Sequence, residues 1–221
     1  MMVKNVRLDK VLEILRQDPC YEVLSSGTLD LNSTYFAGIA SNSNHISRGF
    51  IFVALHGSAQ NGEDYIPAAI KQGATTIIAR PEACQDVVSE FHGVRFICLE
   101  NPRKYVGPLA ALFYPEIPTH MVAVTGTNGK TSVVEFCRQF WEGLGEKSAS
   151  IGTLGINTGK GNHRAHLTTM DPIELRRELQ VLSRNKITHV ALEASSHGLD
   201  QHRLAGLKFE AAGFTNLTQD H

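Results

Sequence analysis

With 221 residues, 42% hydrophobic and 19% charged, the chain has the make-up of an ordinary globular protein, enough for one large domain or two small ones. A formal net charge of −1 argues against a general binder of nucleic acid or anionic membrane, because bulk charge draws it to neither. Its apolar runs fall far short of the ~20 residues that cross a bilayer, which excludes membrane insertion by a helix.

The polar start, Met1 to Asp9, lacks the apolar core of a secretory signal. Cys20, Cys84, Cys98 and Cys137 form no Cys-x-x-Cys pair. The expectation is a cytoplasmic protein with reduced, mostly buried thiols. Leu8, Val11, Leu12 and Leu15 recur at helical spacing and predict a helix over 8–17. Phe50 to Leu55 reads as a buried strand, 63–72 as a helix stopped by Gly73, and Ala74 to Ala79 and Val94 to Leu99 as two more strands. Pro102 opens a helix through Phe113. Strands alternating with helices predict an α/β fold with a mostly parallel, covered sheet. Pro115 and Pro118 stiffen a linker, so a first α/β domain is expected over 1–116 and a second over 117–221.

The second domain opens with the strand Met121 to Thr125, which runs into Gly126-Thr127-Asn128-Gly129-Lys130-Thr131 and a helix from about Lys130 to Glu142. A phosphate loop needs small residues so that backbone amides can turn toward an anion, a cation for the outer phosphates, and a hydroxyl for Mg²⁺. Lys130 and Thr131 supply the last two. The spacing is shorter than the common eight-residue pattern, with Val124 where a first Gly would stand, and strand-in, helix-out is the context that supports it. Asp171-Pro172 caps a further helix. The strand Thr188 to Leu192 delivers Glu193 to the carboxyl edge of the sheet, where ligands gather in α/β folds and a carboxylate can hold Mg²⁺. A last strand, Phe209 to Phe214, ends at Thr215-Asn216.

Val124 to Thr131 resembles the ATP loop of the Mur ligases, the amide-forming enzymes of peptidoglycan precursor synthesis. Leu167 to Pro172, Glu193 to Arg203 and Phe214 to His221 fit the same family in the same order. The run Glu193 to Arg203 is most similar to the branch that extends UDP-N-acetylmuramoyl-dipeptide. The resemblance implies a UDP-binding first domain and a P-loop-type, mostly parallel ATP-binding second domain. It implies ATP and Mg²⁺ as cofactors. Gly126, Thr127, Asn128, Gly129, Lys130, Thr131 and Ser132 would bind ATP; Thr131, Glu193 and His221 would hold metal; Lys130, Glu193 and His221 would be catalytic. Thr168, Thr169, Ser195, Gln201 and Arg203 would hold the muramoyl-peptide substrate. In the first domain the family's Asp-Ser-Arg falls on Asn42-Ser43-Asn44, which keeps only Ser43; Ser58, Ala59 and Gln60 lie in the loop that approaches uracil in the family.

The implied reaction passes the γ-phosphoryl group of ATP to a carboxylate of UDP-N-acetylmuramoyl-L-Ala-D-Glu. A diamino acid, meso-diaminopimelate or L-lysine, then attacks the acyl phosphate. The expected partners are those two substrates, with no nucleic acid and a monomeric full-length form. Two alternatives are a folylpolyglutamate-synthetase-like ligase and a non-catalytic nucleotide- or UDP-sugar-binding module. The family's usually carbamylated lysine and third, amino-acid-binding domain fall beyond His221. The expectation is that the 221 residues alone do not ligate and that the central sheet carries an exposed edge.

Overall fold

A computed structural model describes residues 5–26, 35–57, 61–159, 162–163 (backbone only) and 168–218. The chain divides into two compact units, Met1–Phe113 and Tyr114–His221.

The first unit contains β1 (Val6–Arg7), α1 (Leu8–Leu15), β2 (Glu22–Ser25), β3 (Tyr35–Phe36), β4 (Gly38–Ala40), β5 (Phe50–Val53), α2 (Ile66–Lys71), β6 (Ala74–Ala79), α3 (Pro81–Val87), β7 (Arg95–Cys98) and α4 (Arg103–Phe113). Among the described residues its main sheet has the order β2-β7-β6-β5-β4, parallel throughout except for β2. Both faces of the sheet are covered, so β5 (FIFV), β6 (ATTIIA) and β7 (RFIC) are buried at nearly every position rather than at alternate ones. Leu8, Val11, Leu12 and Leu15 are buried, and α1 packs on α4.

The helix expected over 63–72 begins differently. Gly62–Tyr65 is a 3-10 turn, held by the Asn61 side chain accepting from the Glu63 amide, and Pro67 then starts α2. Gly73, at φ +110, ends it; a Cβ there would lie 2.9 Å from Arg48 Cα. Cys84 and Cys98 are buried, but Cys20 is exposed, a departure from mostly buried thiols.

The second unit contains β8 (His120–Thr125), α5 (Lys130–Gly143), β9 (Ser148–Gly152), β10 (Gly155–Asn157), β11 (Asn162–His163), α6 (Pro172–Arg184), β12 (His189–Glu193), α7 (Ser196–Asp200) and β13 (Ala211–Phe214). Among the described residues the sheet order is β11-β10-β9-β12-β8-β13, and the run β9-β12-β8-β13 is parallel. On one face α5 packs through Val134 against Val124 and Ala191. On the other, Leu175, Leu179 and Leu182 of α6 pack with Met121, Val190 and Leu192. Asp171 caps α6, accepting from the Ile173 and Glu174 amides. β13 is an edge strand, and all four of its residues are exposed.

A polar knot ties α5 to β9 and β10. The Glu135 carboxylate accepts from Arg138 at 2.7 Å, Ser150 Oγ at 2.8 Å and Asn157 Nδ2 at 3.1 Å. Burial alone would push this carboxyl up, but bonds from Arg138, Ser150 and Gln139 outweigh it and hold its pKa at about 2, against an ordinary 4.5. A depressed folded-state pKa gives stability that is complete above the unfolded value and is lost as pH falls through the folded one. The second unit should therefore weaken between pH 4.5 and 2, and Glu135→Gln should flatten that part of the profile. Urea unfolding of both proteins across this range checks it; parallel profiles would contradict the assignment.

The chain leaves β8, crosses to β9 beyond β12, returns to β12 and then passes to β13 on the far side of β8. This reversal of direction beside β8 opens a crevice at the carboxyl ends of the parallel strands, the usual ligand position in such sheets.

Candidate active site

Three strand ends build the cleft: after β8 the loop from Thr127 to Gly129, after β9 Thr153, and at the end of β12 Glu193. The segment that follows β13 backs the loop rather than lining the cleft. The cleft encloses about 600 Å³, and Thr127 to Thr131, Thr153, Thr168, Glu193, Ser195 and Arg203 stand on its walls.

Gly126 and Gly129 have φ of +126° and +83°, a backbone that glycine adopts without strain. They turn the chain sharply from β8 into α5. The first-turn amides of α5, Lys130 to Ser132, have no carbonyl partner inside the helix, because the ladder begins with the Val133 amide on Gly129 O. These donors and the helix dipole favour an anion at this end. Lys130 Nζ folds back over the loop and donates to Gly126 O at 2.7 Å and Thr127 O at 2.9 Å. It makes no ion pair among the described residues, so its charge is carried by neutral carbonyls.

Not every loop amide faces the cleft, as the sequence had suggested. Those of Thr127 and Asn128 donate instead to Asn216, on its backbone and side-chain oxygens. The segment after β13 runs so close to the loop that it uses up these donors.

Glu193 is 2% exposed. Its carboxylate accepts from the Thr153 amide at 3.0 Å and from Thr153 Oγ1 at 3.2 Å, and it has no basic partner among the described residues. A buried carboxylate without a counter-cation is costly unless something positive meets it. Gly152 makes room for it: a Cβ there would lie 2.0 Å from Glu193 Oε1. Neither Gly152 nor Thr153 was expected at the site. The available signal was a Gly-Thr step at a strand end, but β9 itself was not anticipated.

Two residues expected to meet substrate line the cleft and also carry structural bonds. Thr169 is 3% exposed; its hydroxyl donates to Glu193 O and accepts from the Ser195 amide, both at 3.1 Å. Ser195 caps α7, its Oγ accepting from the Gly198 amide. Arg203 donates to Thr169 O at 2.6 Å and to Gln201 Oε1 at 2.7 Å, and Gln201 in turn donates to His197 Nε2. Gln201 thus supports Arg203 rather than lining the cleft. Thr168 stands 3.2 Å from Thr153 at the open rim. Ser132 is exposed on the first turn of α5.

Ser43 belongs to the first unit. It is 8% exposed and sits on a polar cleft of about 360 Å³ with Ser41, Asn42, Asn44, Leu55 and Tyr65. Ser58, Ala59, Gln60 and His221 lie outside the described residues. Among the described residues no three His, Cys, Asp or Glu side chains converge as a metal cluster, and no helix is long and apolar enough to cross a membrane.

Comparison with known proteins adds to this geometry. Residues 35–114 match the family described as "Mur ligase family, catalytic domain", and residues 124–221 match the "Mur ligase middle domain". Two relatives named UDP-N-acetylmuramoyl-L-alanyl-D-glutamate–2,6-diaminopimelate ligase, from Bradyrhizobium diazoefficiens and Zymomonas mobilis, are each 46% identical over 83% of this chain. The match spans 37% of each relative's own length. A solved structure of a ligase with the same name superposes with a TM-score of 0.78 at 27% identity, over 99% of this chain and 42% of that one.

Proposed function

The chain belongs to the Mur ligase family, and we propose that it serves an ATP-dependent, ADP-forming amide ligation in the cytoplasm, extending UDP-N-acetylmuramoyl-L-Ala-D-Glu with a diamino acid. The relatives' names favour 2,6-diaminopimelate over L-lysine. In that reaction a substrate carboxylate oxygen bonds to the γ-phosphorus as the bond to the β–γ bridging oxygen breaks and ADP leaves. The incoming amine then displaces phosphate from the acyl phosphate, losing a proton, to give the amide.

The observation that carries this reading is the pairing of Lys130 with Glu193 across one cleft: an unneutralised ammonium on the loop and an unneutralised buried carboxylate opposite. A triphosphate with Mg²⁺ satisfies both. The free amides at the start of α5 would take phosphate oxygens, and Lys130 would swing its ammonium to the outer phosphates. Thr131 and Glu193 offer hard oxygen donors, which suit Mg²⁺ with few protein ligands and several phosphate or water ligands. Bound there, the ion would neutralise charge that builds on the transferring group. Thr168 and Arg203 at the rim would orient the substrate carboxylate, Arg203 through its planar fork. In the first unit, Ser43 and its polar cleft take the UDP side.

Calorimetry on this chain tests the proposal. UDP-N-acetylmuramoyl-L-Ala-D-Glu and ATP should each bind, and ATP should bind more tightly with Mg²⁺ than with EDTA. Failure of ATP to bind under both conditions would refute the nucleotide reading.

A further inference from the structure

We propose that Asn216 is a positioning residue that holds the phosphate loop in its binding geometry; this rests on the nucleotide reading above and extends it. The contacts are dense and all fall on the loop's tip. Asn216 O accepts from the Thr127 amide at 2.9 Å. The side-chain amide of Asn216 grips both ends of one loop residue: Oδ1 accepts from the Asn128 amide at 3.1 Å, and Nδ2 donates to Asn128 O at 3.2 Å. Thr215 Oγ1 donates to the same carbonyl at 2.7 Å. Thr127 Oγ1 and the backbone of Thr218 exchange two further bonds, each 3.1 Å.

This pattern is specific to asparagine. Only a side-chain amide places an acceptor and a donor at the spacing of a backbone N–H and C=O. Aspartate would set a carboxylate oxygen against Asn128 O, and alanine would leave both groups unpaired. The loop has little of its own to define it. Its residues are small, Gly126 and Gly129 carry positive φ, and the tip residues Asn128 and Gly129 are exposed. A Cβ at Gly126 would strike Thr215 Oγ1 at 2.2 Å and Asn216 O at 2.9 Å, so loop and segment 215–216 are fitted to each other. With the Thr127 and Asn128 amides committed to Asn216, the donors left for phosphate are those that follow, at the start of α5. Lys130 is then fixed relative to them, because its ammonium rests on carbonyls of the clamped loop.

The test uses the 221-residue chain, Asn216→Ala, Asn216→Asp and, as a control, Leu217→Ala, at a residue that is 84% exposed. Amide hydrogen exchange without ligand, read by NMR, reports on the clamp. Exchange at Asn128 should quicken about tenfold in Asn216→Ala while amides in β8 and β12 keep their rates. Mg-ATP titration reports the consequence: Kd should rise about tenfold, as expected for a loop competent one-tenth of the time, with the thermal midpoint unchanged. Asn216→Asp should behave as Asn216→Ala, and Leu217→Ala as the parent. Unchanged exchange at Asn128 in Asn216→Ala overturns the proposal, as does quickened exchange with unchanged Kd. If the parent takes up no Mg-ATP, the nucleotide reading has failed, and the exchange data alone then decide whether Asn216 holds the loop.

Discussion

Lys130→Met should lower affinity for ATP about a hundredfold and leave the fold intact. A charge-assisted bond to phosphate contributes about 1.5–3 kcal/mol, and each 1.4 kcal/mol is about a factor of ten in binding; the upper figure fits a cleft whose other Lys or Arg among the described residues, Arg203, already bonds Thr169 O and Gln201 Oε1. The fold should survive because the ammonium bonds only two carbonyls of its own loop, Gly126 O and Thr127 O. Lys130→Arg should not rescue, since a planar fork cannot sit over two carbonyls of one tight turn as a compact ammonium does. Equilibrium titration of ATP, with circular dichroism as the check on folding, settles it. Near-parental affinity in a folded Lys130→Met protein would remove the loop from the site.

Gly152→Ala should be as damaging, by a different route. The new methyl group would fall 2.0 Å from Glu193 Oε1 and 2.5 Å from Cδ. Glu193 cannot yield easily, because it is buried and held by two bonds from Thr153. Overpacking of this kind costs about 1–3 kcal/mol, and whatever relief occurs must displace the carboxylate. Two losses should therefore appear together: a lower melting temperature and loss of the Mg²⁺ dependence of ATP binding. Adding Glu193→Ala to Gly152→Ala removes the clash, so stability should partly return while the Mg²⁺ dependence stays lost. That non-additivity is the signature of direct contact. A Gly152→Ala protein with parental stability and intact Mg²⁺ response would show that Glu193 has another position to occupy.

Much of this architecture could be read from the residues because the signals are local. Phe50 to Val53 and Ala74 to Ala79 are apolar runs of strand length; Asp171-Pro172 carries its own cap; Gly126 to Thr131 sits between a strand and a helix. What escaped depends on distant partners. Ser148 to Gly152 is made of small residues apart from Ile151, so it shows no apolar periodicity, and it is buried because α5 and its neighbours cover it. The fit of Gly152 to Glu193 joins residues about forty apart, and Asn216 meets a loop nearly ninety residues earlier. A hydroxyl in a loop does not announce its partner: the fold bonds Thr169 and Ser195 to each other and to the backbone around Glu193, while both still line the cleft.

The position of β13 has a thermodynamic consequence. Its outer side carries no partner strand among the described residues, yet the segment that follows it grips the loop. Peeling of this border ribbon and occupancy of the anion cradle are thus linked quantities. Any backbone that zips onto β13 should tighten nucleotide capture, and captured nucleotide should make the ribbon harder to fray by the same factor, since coupling free energy works equally in both directions.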